Sequence, residues 1–405
     1  MYQIITVILS FILVQNSFAQ LTIIISGSVK DSATQKSLPF ASVSIAGRPV
    51  GTVTNENGDF DFLIPEEYRN DTLLISHVGY KNYKQPVHTL SHAHVSIHLK
   101  PQTFLLDEIE IREKELTAKE IIAKAAKNLK FNYSTKPYCL EGFFREIEEE
   151  NGKYVMLMEA AVDIYDKNFD GLKKYDLQES VDVREIRRSL RYGGQENKNN
   201  IAISLTDLLE NNDVRYNRGM LDTAANEFSI DTITTYNDRL VYGISMSNKT
   251  DFGTLYVDTE TFGVWKINME RRSRDGQKYY DINRRGGKSR GRKWFIFTVE
   301  FERYEGLFYP RRMHESEENE IFDPKTKQVN ITAIETMEFV VTKLYLEKEN
   351  SAAKRLRYGM QIKHKPYNKE FWKSYNMLKL TPLHENLIHD LEKELPLQEQ
   401  FEKEN

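Results

Sequence analysis

Apolar and polar residues alternate at a period of two over much of this chain, and each such run marks a strand with one buried face. In the first hundred residues Val43 and Ile45, then Phe60, Phe62 and Ile64, then Leu73 and Ile75, then Val95, Ile97 and Leu99 fall on such faces. Short strands at this spacing, separated by turn residues, predict an all-β sandwich. Between Thr52-Val53-Thr54 and Phe60-Asp61-Phe62 lies Asn55-Glu56-Asn57-Gly58-Asp59. Its Asn-Gly tolerates the positive φ of a tight reversal, which predicts a hairpin.

The pattern changes after an extended, acid-dotted stretch from Pro101 to Arg112. Thr117-Ala118-Lys119-Glu120 has the form of a capping box, opening a helix to about Asn132 with Ile121, Ile122, Ala125 and Leu129 as its buried stripe. Strand-like runs follow at Phe143 to Glu146, Val155 to Tyr165, Phe228 to Tyr236, Leu240 to Met246, Thr254 to Asp258, Val264 to Glu270, Phe295 to Arg303 and Ile331 to Leu346. Gly253 to Asp258 and Thr261 to Ile267 form a hairpin-like pair around an acidic turn. Between Gly171 and Leu221 the pattern loosens into charged, helix-like segments such as Val183 to Arg191 and Leu205 to Asn211. The predicted fold is mostly β: an N-terminal β-sandwich, and a C-terminal α+β domain built on a large antiparallel sheet. At 405 residues the chain exceeds what one core organises. Its expected divisions are 1–19 as a signal peptide, 20–100 as the sandwich, 101–116 as a linker, 117–366 as the α+β domain and 367–405 as an aromatic segment with a helix.

The first residues carry an address. Ile4 to Val14 are apolar, roughly half the ~20 residues a membrane-spanning helix needs, and Ser17-Phe18-Ala19-Gln20 follows. Small residues at Ser17 and Ala19 suit a signal peptidase, leaving Gln20 as the mature terminus and no transmembrane span in the mature chain. With 40% apolar and 29% charged residues, the remainder has the composition of folded globular protein, which excludes disorder and a multi-span membrane protein. The single cysteine, Cys139, cannot make an intrachain disulfide and reads as a buried structural thiol.

Four motifs in order carry a resemblance: Gly27-Ser28-Val29-Lys30-Asp31, Leu38-Pro39-Phe40-Ala41-Ser42-Val43, Gly51-Thr52-Val53-Thr54-Asn55-Glu56-Asn57-Gly58-Asp59-Phe60, and Ile75-Ser76-His77-Val78-Gly79-Tyr80. Together they resemble the carboxypeptidase regulatory-like domain. The resemblance implies a seven-stranded, transthyretin-like β-sandwich in an envelope protein, and a fold more than an activity. The second domain is faintly similar to periplasmic lipoprotein carriers of the LolA kind, through its opening helix, long meander and Gly253 to Asp258 hairpin.

Zinc peptidase chemistry is not expected. His389-Asp390-Leu391-Glu392 matches the short ligand element of those enzymes, but no histidine follows it, and His384 and His389 fall on different faces of a helix. His94 and His98 share the outward face of a strand about 13 Å apart, too far for one metal ion. With His77, His88 and His92 they read as solvated residues, and no cofactor is expected.

The charge is uneven. Ten bases and two acids between Arg271 and Lys293 give that stretch about +8 inside a chain of net −4. Its centre holds Arg284, Arg285, Lys288, Arg290, Arg292 and Lys293 among glycines, which reads as a flexible loop able to bind an anion or partner. Glu315, Glu317, Glu318 and Glu320 are the acids that could instead neutralise it. The runs Glu148-Glu149-Glu150 and Glu317-Glu318 read as solvated, leaving no carboxylate pair to nominate for hydrolysis. The function expected from these features is a non-enzymatic exported protein, periplasmic or attached at the outer membrane, that binds an envelope protein or an anionic envelope lipid and not nucleic acid. The alternative is a carrier of lipid or acyl chains, marked by a deep apolar cavity.

Overall fold

A computed structural model describes residues 22–90, 94–104, 116–166, 179–191, 205, 208–209, 214–215, 218–273, 277–279, 281–285, 288–346, 348, 365–379 and 383–404. The expected signal segment and most of the expected linker lie outside these residues.

The first body is a seven-stranded sandwich. In one sheet β1 (Thr22–Asp31) runs antiparallel to β4 (Asp59–Pro65) and parallel to β7 (His94–Leu99). The other has the order β3 (Gly51–Val53), β2 (Ser42–Ile45), β5 (Thr72–Ser76), β6 (Tyr83–Pro86). The period-two residues Val43, Ile45, Phe60, Phe62, Ile64, Leu73, Ile75, Ile97 and Leu99 are all buried between the sheets. The predicted hairpin is corrected in one respect: its reversal exists, but β3 and β4 belong to opposite sheets. The buried Thr54 hydroxyl accepts from the Ala41 amide at 2.8 Å and donates to the Leu38 carbonyl at 2.8 Å, which ties the end of β3 to the β2 side. Asn55 Oδ1 then accepts from the Asn57 and Asp59 amides at 2.9 Å each and turns the chain across to β4.

The second body is one antiparallel sheet. Its strands are β8 (Thr103–Phe104), β9 (Tyr138–Glu150), β10 (Lys153–Asp166), β11 (Glu179–Arg188), β12 (Glu227–Tyr236), β13 (Arg239–Ser247), β14 (Asp251–Asp258), β15 (Val264–Arg272), β16 (Asp281–Arg285), β17 (Lys288–Tyr304), β18 (Leu307–Phe322) and β19 (Val329–Leu346). The spatial order is β11-β10-β9-β19-β18-β17-β15-β14-β13-β12-β8, with β16 paired to β17. Two meanders, β9 to β11 and β12 to β19, are thus joined where β9 meets β19.

β11 and β18 depart from the sequence reading. The stretch from Val183, expected as helix-like, lies in β11. A register shift opposite Ala161 and Val162 spaces the buried Val183 and Ile186 by three, a helix-like interval produced by a bulge. β18 was hidden by its charges, yet Arg311, Arg312, Glu315, Glu317 and Glu320 are all buried within the sheet, and Pro310 sits at its irregular register against Phe301.

Each face of the sheet is covered differently. Helix α1 (Ala118–Asn132) is capped by Thr117, whose hydroxyl accepts from the Glu120 amide while Glu120 reaches back to the Thr117 amide. It lays Ile121, Ile122, Ala125 and Leu129 against what is here called the helix face. Each fully buried Ile or Leu contributes about 1.5–3 kcal/mol of transfer free energy.

The sandwich docks on the opposite face through the very motifs that identify it. The Phe40 ring lies over the Arg312 guanidinium, 3.6 Å from its centroid. Arg311, buried, donates to the Val43 carbonyl at 3.0 Å and to the Thr52 carbonyl, and pairs with Glu302 at 3.0 Å. The Gly79 amide donates to the Thr235 carbonyl at 2.8 Å. Beside it, burial and then the Lys266 charge push the His77 imidazole down to about 4.

The C-terminal segment spans both bodies. From α2 (Lys369–Lys373) and the residues after it, Trp372, Tyr375 and Leu378 pack on Phe143, Ala161 and Val340 of the sheet, and on Val53 of the sandwich. The Asn376 side-chain amide pairs with both main-chain groups of Leu63 on the edge strand β4, at 2.8 and 2.9 Å. Helices α3 (Leu383–Leu391) and α4 (Leu397–Glu404) set Leu387, Leu391 and Phe401 on Leu157.

Candidate binding face on the large sheet

Ladder register places Met246 of β13, Gly253 of β14, Met269 of β15 and Phe297 of β17 in one row on the helix face. Gly253 lets the Met269 side chain lie across the row: a Cβ there would lie 2.6 Å from Met269 Sδ and collide with the Asn268 backbone. Above the row the 3-10 turn Arg218–Leu221 brings down Met220. Met220, Met246, Met269, Phe295 and Phe297 line a cavity of about 240 Å³. Seven of the eight methionines among the described residues (156, 158, 220, 246, 269, 313 and 337) belong to this helix-face core, with Met377 elsewhere. Methionine is flexible and polarisable, so walls made of it adapt to varied apolar shapes.

The mouth is polar. Asn248 Nδ2 donates to Asn226 Oδ1 at 2.8 Å and to Asp251 at 3.2 Å, and Arg271 grips Asp251 with contacts of 2.5 and 3.1 Å. Burial pushes the Asp251 carboxyl up, but Arg271 outweighs it and holds it below the usual range. Asn226 also donates to the Gly219 and Asp222 carbonyls, so this chain of side chains ties the Met220 turn to the β13–β14 reversal.

Farther along the same face the sheet becomes acidic. Glu148, Glu335 and Glu317 stand side by side on β9, β19 and β18, all buried. Arg191 closes one end, 2.5 Å from Glu148 and 3.0 Å from Glu150; Arg290 closes the other, 2.6 Å from Glu317 and 3.6 Å from Glu335. This corrects the expectation that the acidic runs are solvated: Glu148, Glu150 and Glu317 are buried, because period-two alternation turns them inward. Like charges directly opposite in a ladder repel. Burial first, and then Glu317 and Glu148 against the pull of Arg290, push Glu335 up to about 7. Its folded-state value therefore exceeds the ordinary 4.5, so its contribution is fully present below pH 4.5 and lost as pH rises through 7. Glu335→Gln is expected to stabilise the protein at pH 8 by about 3 kcal/mol and to flatten that decline. Urea denaturation of both proteins across this range checks it; parallel pH profiles would rule the idea out.

The six basic residues expected to bind an anion or partner do not form a glycine-rich loop. Arg284 and Arg285 lie on β16, opposite Ser289 and Lys288 on β17; the side chains of Arg284, Arg285 and Lys288 lie outside the described residues. Arg290 pairs as above, Arg292 approaches Glu317 at 3.8 Å, and Lys293 meets Glu318 at 2.5 Å and Glu320 at 3.5 Å. The acids of β18 thus hold the described members of the run, since adjacent antiparallel strands place bases beside acids.

The remaining candidates stay apart. Cys139 is buried, and its thiol is pushed up to about 12 by burial and then by Asp163, which leaves almost no thiolate. His94 and His98 point outward from β7, and His98 meets Gln35 at 3.1 Å. His88 and His389 are exposed, while His92 lies outside the described residues. Among the described residues no three His, Cys, Asp or Glu side chains are set to hold a metal ion, and no helix is long and apolar enough to cross a membrane.

The methionine cavity is what sequence reasoning missed. Ten methionines in 405 residues attract no notice; they converge only when register lays distant strands side by side.

Residues 25–111 match the family model of the CarboxypepD_reg-like domain, which covers the sandwich and about a fifth of the chain. No curated protein matches the chain. Among solved structures, a DUF1329 family protein from Desulfovibrio piger overlaps 58% of this chain and 96% of its own at 11% identity, with a TM-score of 0.26. MucB in complex with MucA overlaps 57% and 99% at 10% identity, with a TM-score of 0.18. Lipovitellin overlaps 61% and 29% at 8% identity, with a TM-score of 0.23. Overlaps this loose say nothing about ligand or activity.

Proposed function

We propose that this chain is a non-enzymatic binding protein exported to the bacterial envelope, periplasmic or held at the outer membrane, and that the helix face of its large sheet is the binding face. The observation that carries this reading is the adaptable cavity lined by Met220, Met246 and Met269 under a polar rim. The sandwich supports it by elimination. Its Phe40, Gly51 and Gly79 motifs are engaged within the chain, so an adaptor role toward another envelope component falls to its outward sheet, where His94, Ser96 and His98 are exposed. The signal-like start favours export, and the inert setting of Cys139 favours binding over nucleophilic catalysis.

The test is native mass spectrometry of the mature protein purified from its own envelope, with hydrogen exchange measured before and after bound material is stripped. A bound mass is expected, together with faster exchange on stripping in residues 218–226 and around the β13–β14 turn. A clean apo mass with unchanged exchange overturns the reading.

A further inference from the structure

The size of the cavity limits what can fill it. A methylene in a liquid takes about the volume of a water molecule, roughly 30 Å³. The ~240 Å³ between the Met220 turn and the sheet therefore admits about eight methylenes. That is part of one chain and far short of a lipid with two or three acyl chains. The inner walls are thioethers and phenyl rings, with Met246, Met269 and Phe297 in a row and Phe295 beside them. The rest of the lining is polar: Asn226, Asn248, Asp251 and Arg271, joined by hydrogen bonds, with Asp222 and Glu270. An apolar wall set beside a polar, charged one suits a single-chain amphiphile.

We infer that the cavity takes one alkyl chain of about eight to ten carbons, with the polar head of the ligand at the Asn226–Asn248–Asp251–Arg271 rim. This rests on the helix face being the binding face.

Chain length is the readout. Calorimetric titration of the full mature protein with straight-chain alkanols and alkanoates of about six to sixteen carbons should show affinity rising about fourfold per methylene, then levelling at about eight to ten carbons. The offset between the alkanol and alkanoate series reports the rim, and the position of the plateau reports the cavity. Met246→Ala removes three heavy atoms from the wall and should move the plateau about three carbons longer; Met220→Ala, in the turn and off the sheet, should do the same where Met246→Ala fails to fold. Met377→Ala, on the other face, should leave the plateau in place. Affinity that keeps climbing past the plateau, tighter binding of two-chain lipids, or a plateau indifferent to Met246 and Met220 overturns the inference. If no alkyl compound binds while material from the envelope still slows exchange in residues 218–226, the alkyl-chain inference falls and the binding face stands; if neither is seen, both fall.

Discussion

Replacing Glu159 by alanine is expected to cost about 4 kcal/mol of stability and to release the C-terminal segment from the sheet. Glu159 is buried between two guanidinium groups, with Arg145 at 2.7 Å and Arg187 at 2.5 Å. Burial pushes its carboxyl up, but the two arginines reverse this and hold it at about 2. The alanine leaves two cations facing each other without water. Arg145 also donates to the Leu378 carbonyl at 2.9 Å, and Arg187 lies 4.4 Å from the centre of the Trp372 ring, so the damage passes to the tail. Because the folded value lies below the ordinary 4.5, this stabilisation is present above pH 4.5 and lost as pH falls toward 2. Urea denaturation at neutral pH and limited proteolysis after residue 365 read both effects. A loss below about 1 kcal/mol, or a tail as protected as before, contradicts the account. Replacing all three charged residues by apolar ones of similar volume should restore much of the loss, since the charges balance one another's desolvation.

Gly51→Val should be nearly as damaging, for a reason of space. A Cβ at residue 51 would lie 2.6 Å from the Val43 carbonyl oxygen and within the contact distance of the Arg311 guanidinium. Neither can yield: Arg311 is fixed by Glu302 and by two sandwich carbonyls. Overpacking of this kind costs about 3 kcal/mol. Calorimetry should show the sandwich and the sheet melting in two separate transitions, and Gly51→Val with Arg311→Ala should cost less than the two single changes added. One unshifted transition sinks this interpretation of the docking.

Much of the sandwich was legible in the sequence because its rules are local. Alternation at Phe60, Phe62 and Ile64 and the turn chemistry of Asn55 act over a few residues, and so does the Thr117–Glu120 capping box. The sheet assignment of β3 and β4 was not legible, since it depends on what the Thr54 hydroxyl meets across the turn. β18 failed for a different reason. Its glutamates are polar in sequence and buried in space, and the β17 bases Arg290 and Lys293 explain how both can hold. The methionine cavity was illegible for the same cause, because Met246 and Met269 become neighbours only through the small residue between them.

The seam between β9 and β19 sets the order in which this chain can fold. β12 to β19 can zip hairpin by hairpin, each strand closing a short loop on the one before. β9 must instead find β19, pairing Phe144 with Phe339 across nearly two hundred residues. Contacts of that span form late and slowly. Until they do, β19 presents an unpaired edge carrying Phe339, Val340 and Val341, a template for another chain. The hazard lasts as long as the search, and the N-terminal sandwich, made first and touching β19 through Val50 and Lys343, is placed to shorten it.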